Sequence, residues 1–571
     1  MSKKYFIIWG IGFSYFVGIF SVYHLRPSFL DFAIGLQMNI ILAFTLAFGF
    51  FVYKDKALEL SVTCLTWIFL AFLILIQPFI NTIVYPDSLI FPVIYCVELA
   101  FVSIIIKQII SNEKYGRIFL CNNIAFFLLF GGLLTKLIMW LQLFSIHLPF
   151  VAELGGNKPI GNIMQPNQTA FVLCLAIVAS LYLYKTIPWY KKINFIILFV
   201  FSIGVALTAS RGGFLIMLGI PFLYAIIVDN TKKIKLIQWS AFSLILIFGY
   251  IVGLFLFNNL VNGGNENALV RAFNAEGLAS NNERILEQKL AFSLFTSSPF
   301  TGYGWGNSLK GAFDYALQDN WFILAHHSHV FITQIGAELG LFGILIFIPL
   351  IWILYRNFTF KMNAVQLFPV MLVVVTLIYS MSEFPLWYLR FSLIFVVSLS
   401  LIDPSSIKIE VPYNTLIAVI CLGFSFASVH YYKKYLIYNY YTELAYSDQL
   451  DTKQISKLDD VFGFLNYKEQ LIYYSLPMDN HLLDQKILLG NRVISTFPTF
   501  VFIEKQATYY ALNGEKNKSL ELYKKSCVMD YGRNCFIIKE NLLVNFKNNP
   551  SYFGEIYKEF AKWENVNLKM N

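Results

Sequence analysis

A chain of 571 residues and 65.7 kDa is long enough for several ordinary domains, yet 57% hydrophobic residues, 18% aromatics, only 13% charged residues and a mean hydropathy of +0.61 exclude a soluble enzyme. The composition is that of a polytopic membrane protein, and it excludes disordered, collagen-like and disulfide-framework chains as well. The net charge of +9 is spread over many short loops without a basic block, so nucleic acid is not an expected partner.

Segments of about 17 to 25 mostly apolar residues are long enough to cross a bilayer core as helices. Thirteen occur, at approximately 5–22, 30–52, 59–80, 89–110, 118–144, 164–184, 193–209, 213–228, 236–257, 330–354, 364–381, 386–402 and 413–430. The first follows Lys3 and Lys4 and has no small-residue cleavage site, so it reads as a retained span. Residues 1–430 hold 25 Lys+Arg and 18 Asp+Glu, and residues 431–571 hold 18 and 16, so a membrane body carries a soluble tail. The expected fold class is all-α: about 13 transmembrane helices over 1–430, one long loop at about 258–329, and a helical domain over 431–571.

Cytoplasmic loops are enriched in Lys and Arg. With the N-terminus inside, the short cytoplasmic loops carry 15 basic residues, among them Lys54, Lys114, Lys191, Lys233 and Lys361. The opposite short loops hold four, Arg26, Lys158, Arg211 and Arg390. This orientation puts the long loop, the tail and all seven histidines (His24, His147, His326, His327, His329, His430, His481) on the outer side, where any chemistry is expected.

Four polar constellations gather there. The first is GNIMQPNQTA, residues 161–170. Pro166 suits a helix start, and Asn162 and Asn167 can cap it. Gln165, Asn167 and Gln168 lie at or inside an apolar segment, where polar groups are costly unless satisfied or functional. The second is TASRGG, in which Arg211 sits between two spans with almost no loop to solvate it. It is either a snorkelling side chain or a planar fork for phosphate, and Gly212 and Gly213 would leave the backbone open beside it.

The third constellation is the long loop, with Arg271, Arg284 and Lys289, then SPFTGYGWGN and WFILAHHSHVF. Arg284 lies on an amphipathic helix, where Glu283 and Glu287 could reduce it to a surface ion pair. Gly302, Gly304 and Gly306 read as a tight aromatic turn, since no β-α-β unit surrounds them. His326, His327 and His329 lack neighbouring carboxylates at metal-ligand spacing. A histidine just before a span is better suited to taking a proton from a hydroxyl. The fourth is SEFPLWYLR, residues 382–390. Aromatic anchoring accounts for Trp387 and Tyr388 but not for Glu383 or Arg390.

In the tail, ATYYALNGEKNKSLELYKK resembles one helix-turn-helix unit of a tetratricopeptide repeat with Gly514 in the turn, so a stack of two or three helical hairpins is expected. Cys64, Cys96, Cys121, Cys174 and Cys421 fall in spans and read as small apolar residues. Cys527 and Cys535 would meet an oxidising periplasm and are expected to form a disulfide. On one straight helix they would be about 12 Å apart, so Gly532 is expected to end the helix and turn the chain back.

These pieces, in this order, resemble the bacterial protein O-oligosaccharyltransferases of the O-antigen ligase and O-antigen polymerase superfamily, over roughly residues 1–430. HVFITQIGAELGLFG is similar to the ligase signature, a His followed eleven residues later by Gly, an apolar residue, any residue and Gly. The matching residues are His329, Gly340, Leu341 and Gly343. Val330 departs from it, where Asn, Ser or Gln is usual. GNIMQPN, TASRGG and EFPLWY resemble elements of the protein-glycosylating branch.

The resemblance implies transfer of a glycan from an undecaprenyl-diphosphate donor to Ser or Thr of an acceptor protein, pilin among the candidates, on the periplasmic face of the bacterial inner membrane. It implies His329 as general base and Arg211 and Arg284 at the diphosphate. Gln165 and Tyr388 match further polar positions of that branch. Asn167, His327, Glu383 and Arg390 are taken as substrate-binding candidates beside them. A sugar diphosphate already has a good leaving group, so charge stabilisation by two arginines suffices without metal or other cofactor. A single displacement would invert the anomeric centre. Ligation to lipid A core and glycan polymerisation share this donor chemistry. A transporter of lipid-linked sugar would place ionisable residues near the membrane middle, where Lys136 is the main exception to the outer clustering.

Overall fold

The computed structural model describes residues 3–22, 32–153, 158–261, 270, 275–318, 327–410, 413–447, 449–450, 455, 458–529 and 535–567. His24, Arg26, Arg271, His326 and Gly532 lie outside the described residues. All thirteen apolar segments are helical: α1 (Lys3–Phe20), α2 (Phe32–Val52), α3 (Val62–Ile80), α4 (Ile90–Asn112), α5 (Gly116–Leu143), α6 (Pro166–Thr186), α7 (Asn194–Leu207), α8 (Arg211–Ile227), α9 (Lys232–Leu260), α12 (Phe331–Asn357), α13 (Ala364–Tyr379), α14 (Leu389–Ile402) and α15 (Asn414–Tyr446). Between α9 and α12, the long loop carries α10 (Ala275–Ser297) and α11 (Ser308–Tyr315). Eight of the thirteen are long and apolar enough to cross a membrane by themselves, while α7, α8, α13 and α14 are shorter apolar helices of 14 to 17 residues.

At the end of the bundle away from the long loop, strands β1 (Leu58–Leu60) and β2 (Ile407–Ile409) pair antiparallel. Several polar groups there pair inside the protein. Asp403 Oδ2 accepts from both the backbone N–H and the hydroxyl of Thr63 at 2.9 Å, and Lys107 Nζ donates to the Asp403 carbonyl. The hydroxyls of Ser61, Ser103 and Ser400 form a chain that ties α3, α4 and α14 together.

The signature helix α12 is broken at Gly340, whose φ of 63° and ψ of −155° belong to a region that only glycine occupies readily. The break frees backbone groups, and the SPFTGYGWGN turn takes them up. Tyr303 N–H donates to the Ala337 carbonyl at 2.7 Å and Gly304 N–H to that of Glu338 at 3.1 Å, while Leu341 N–H donates to the Pro299 carbonyl at 2.8 Å. A Cβ at Gly340 would lie 2.4 Å from the Phe300 carbonyl carbon, and one at Gly302 would lie 2.2 Å from that of Glu338. The two glycine-bearing motifs are therefore two halves of one backbone junction.

The last span runs further than its hydropathy suggested, to Tyr446. Beyond the apolar stretch the helix continues because its tyrosines gain an aromatic partner surface. Tyr431 and Tyr435 pack with Phe91 and Phe464. Among the described residues six helices follow: α16 (Leu465–Ser475), α17 (Leu483–Thr496), α18 (Phe500–Leu512), α19 (Lys516–Val528), α20 (Cys535–Asn548) and α21 (Pro550–Asn567). Gly514 turns α18 into α19 with a φ of 79°. Cys527 and Cys535 are disulfide-bonded across the end of α19 and the start of α20, with Cα atoms 4.1 Å apart.

The tail does not hang free. Leu290, Leu294, Ala312 and Phe313 of α10 and α11 share one apolar cluster with Ile487, Ile503 and Tyr523 of the tail. A second tether reaches the turn before α4, where Asp87 accepts from Gly463 N–H at 2.8 Å and Tyr85 donates to Glu469 at 2.6 Å.

Candidate active site

Four chain segments converge where α6 and α8 begin, where α13 turns into α14, and where α12 starts beside α10. Each entry is set by local backbone. Gln165 caps α6 by accepting from Gln168 N–H at 2.5 Å, with Pro166 at the first helical position. The capping role that the sequence offered to Asn162 and Asn167 thus falls to Gln165. Asn162 instead ties its loop to the carbonyls of Phe20 and Phe150, both at 2.8 Å. Ser210 caps α8 by accepting from Gly213 N–H at 3.1 Å, which puts Arg211 in the first turn.

Asn167 is released from capping and bridges two of these entries. Its Nδ2 donates to Glu383 Oε1 at 2.6 Å and its Oδ1 accepts from Ser210 Oγ at 2.7 Å. Arg284 also reaches Glu383 Oε1, at 2.6 Å, so the expected surface pairing with Glu283 and Glu287 gives way to a long-range one. Glu383 is 5% exposed and lies in the turn between α13 and α14, outside the spanning helices. Burial raises its pKa above the usual carboxylate range, while Arg284 and His329 oppose that rise by stabilising the charged form. Arg284, Glu383, Asn167 and Ser210 therefore form one chain ending at the helix turn that bears Arg211.

His329 stands beside this chain. Its backbone has φ of 60°, an uncommon conformation for a residue with a side chain. Met164, one residue before Gln165, and Ala209, one before Ser210, share it, with φ of 58° and 54°. Three of the site's entries are thus strained, two at the residue before a polar group and the third at His329 itself, a pattern associated with functional sites. His329 Nδ1 lies 2.7 Å from Glu287 Oε2, and its ring sits edge-on to Phe384, 5.3 Å between centroids, and to His327, 4.6 Å. His327 itself stacks on Phe384.

The other candidates lie to one side. Arg390, 1% exposed, donates to the Gly18 carbonyl at 3.1 Å and to Gln168 Oε1, and stacks 4.6 Å from the Tyr388 ring. It joins α14 to α1 and α6 through these bonds. A cavity of about 190 Å³ opens beside it, lined by Met38, Tyr95, Trp305, Trp387, Tyr388 and Arg390. Gly213 does not leave open space as the sequence suggested: a Cβ there would come 2.4 Å from that of Ala170, so this glycine lets α8 pack on α6. Gly212 faces Ser382 of the α13–α14 turn, where a Cβ would lie 3.7 Å from the Ser382 hydroxyl, an ordinary contact. Lys136 is buried in α5, its Nζ 5.1 Å from the centre of the Trp140 ring.

Sequence reasoning missed Glu287, Ser210 and Gln168 as partners in this arrangement. Glu287 was visible as an acidic residue one helical turn after Arg284, but only the fold shows that it turns toward His329.

Residues 195–348 match the O-antigen ligase family, and residues 367–528 match the C-terminal region of a family described as virulence factor membrane-bound polymerase. The first match covers α8, Arg284 and His329, and the second begins in α13 and covers Glu383 and Tyr388. A general O-oligosaccharyltransferase of Acinetobacter baylyi is 26% identical over 299 residues, which is 50% of this chain and 50% of that protein. The match thus spans about half the length of this curated relative.

Proposed function

The chain belongs to the O-antigen ligase superfamily, and we propose that it moves a glycan from an undecaprenyl-diphosphate carrier to Ser or Thr hydroxyls of an acceptor protein at the periplasmic face of the bacterial inner membrane. Glycan transfer of the O-antigen ligase type follows from the family. The similarity to an O-oligosaccharyltransferase supports an oligosaccharide as the cargo. The observation that carries the reading is that Arg284 and Glu287, one turn apart on α10, reach Glu383 and His329 respectively, so one helix presents the anion-binding group and the carboxylate partner of the proton acceptor side by side.

In this mechanism the acceptor hydroxyl attacks the sugar C1 from the side opposite the diphosphate, which inverts that centre. His329 takes the hydroxyl proton on Nε2. Arg211, held by the Ser210 cap, and Arg284, held by Glu383, stabilise charge as it gathers on the leaving diphosphate. The first units of the prenyl chain would occupy the cavity beside Trp305, Trp387 and Tyr388. Arg390 lines that cavity, and Gln165, Asn167 and His327 are assigned to substrate contact around the reacting groups.

The test is transfer in reconstituted membranes with purified donor, read by the intact mass of the acceptor. His329→Ala is expected to lose at least about a hundredfold in rate, within the usual span for a general base. Arg211→Lys and Arg284→Lys are expected to fail as well, because an ammonium does not reproduce the bidentate fork. Near-normal transfer by His329→Ala would remove the base assignment. Glycan appearing only on lipid A in cells with the full-length protein would remove the protein acceptor.

A further inference from the structure

We propose that Glu287 is the positioning residue of the base: it fixes the tautomer and the aim of His329 and stabilises the imidazolium that forms during transfer. This rests on His329 being the base. Glu287 is 7% exposed, and its Oε2 lies 2.7 Å from His329 Nδ1. An ionised carboxylate only accepts hydrogen bonds, so Nδ1 carries the hydrogen and the lone pair is left on Nε2. Burial of that carboxylate is costly without such a partner.

The surroundings show that this contact is built and not incidental. The next residue of α10, Gln288, holds residues on either side of the histidine: its Nε2 donates to the Ser328 carbonyl, and its Oε1 accepts from the Thr333 side-chain hydroxyl at 2.8 Å. Ser328 N–H is held in turn by Gln334 Oε1 at 2.7 Å. A backbone with φ of 60° at His329 persists only when its neighbours over-determine it, and adjacent residues of one helix do so here, one through the ring and one through the chain. The other nearby carboxylate, Glu383, already accepts from Arg284 and Asn167, so the two acids serve different partners.

The step balances as follows. The hydroxyl O–H bond breaks and an Nε2–H bond forms, while the oxygen bonds to C1 and the C1–O bond to the diphosphate breaks with its electron pair on the phosphate oxygen. Positive charge thus appears on the imidazole next to a fixed carboxylate, where it is stabilised without reorganisation. The imidazolium later returns its proton to water.

The experiment compares Glu287→Gln, Glu287→Asp and His329→Ala in the full-length, reconstituted enzyme. Glu287→Gln is expected to lower kcat by roughly a hundredfold while KM for donor and acceptor stays within about threefold. Glu287→Asp is expected to recover at least about a tenth of the wild-type kcat, because it keeps the charge. Nitrogen-15 spectra of labelled histidine should show the Nδ1–H form of His329 in the wild type and a tautomer mixture in Glu287→Gln. If Glu287→Gln does not insert, Glu287→Ala carries both readouts, and an unchanged kcat together with an unchanged spectrum in that variant would overturn the proposal. An active Glu287→Gln beside an inactive His329→Ala sinks the positioning role alone. An active His329→Ala sinks the base itself, and the tautomer spectrum still reports whether the pair exists.

Discussion

Glu383 serves two donors from a site with little water, and that sets its behaviour with pH. Burial favours its neutral form, and Arg284 and His329 pull the other way, leaving its pKa raised. On acidification it therefore takes up a proton before ordinary carboxylates do, and Arg284 loses its counter-charge at that point. Transfer should decline on the acid side already above the usual carboxylate range. Glu383→Gln should be slower at neutral pH, by about tenfold or more in KM for the donor given the usual worth of a charged hydrogen bond. It should also lack that part of the acid limb. A pH–rate profile of the two proteins checks both, and an identical acid limb in Glu383→Gln would assign it to another group.

At the scale of elements, the break in α12 explains why a helix carrying the family signature needs glycine there. Gly340→Ala places a Cβ against the Phe300 carbonyl carbon and forces a side chain into a glycine-only backbone region. The backbone strain alone is worth roughly 1–3 kcal/mol. The variant should lower the thermal midpoint and the yield of folded protein. Gly423→Ala in α15, where nothing lies within 4 Å of the added carbon, is the matched control and should be neutral or slightly stabilising. The α19–α20 pair makes a second element-scale prediction. A disulfide closing a separation of eight residues should be worth about 2.5 kcal/mol by loop entropy. Cys527→Ser with Cys535→Ser should lower the denaturation midpoint of the tail, read by urea titration, with little effect on transfer at moderate temperature.

The whole molecule couples the tail to the chemistry through α10. The middle of that helix bears Arg284 and Glu287, and its later residues Leu290 and Leu294 share a core with α11 and the tail. Removing the tail would expose this core and loosen the helix that aims both groups. Deleting residues 441–571 is therefore expected to abolish transfer to folded proteins and to a free Ser-containing peptide alike. The peptide is the informative substrate: if only folded acceptors were lost, the tail would act by docking alone. An aromatic cavity of about 240 Å³ in the tail, between Tyr446, Tyr467, Tyr474 and Phe502, is the place where acceptor contact is proposed. Tyr474→Ala should then raise KM for the acceptor without changing kcat.

Apolar length and period follow from local sequence, and so all thirteen helical segments, the Gly514 turn and the one pair of tail cysteines could be read before any fold was known. The helix ends were less legible where side chains from elsewhere decide them, as at α15, whose tyrosines continue the helix against Phe91 and Phe464. Residue types at the site were legible too, because Arg211, Arg284, His329 and Glu383 are costly in an apolar chain without a reason. Their partners were not. Arg284 and Glu383 are 99 residues apart, and Glu287 and His329 are 42 apart. A helix repeat registers neighbours three or four residues away and carries no record of what faces them across a bundle. The sequence by itself determined which segments are apolar helices and which residues needed an explanation. Only packing decided which carboxylate holds the arginine and which holds the histidine, since that depends on how α10 lies over the entries of α6, α8, α12 and α14.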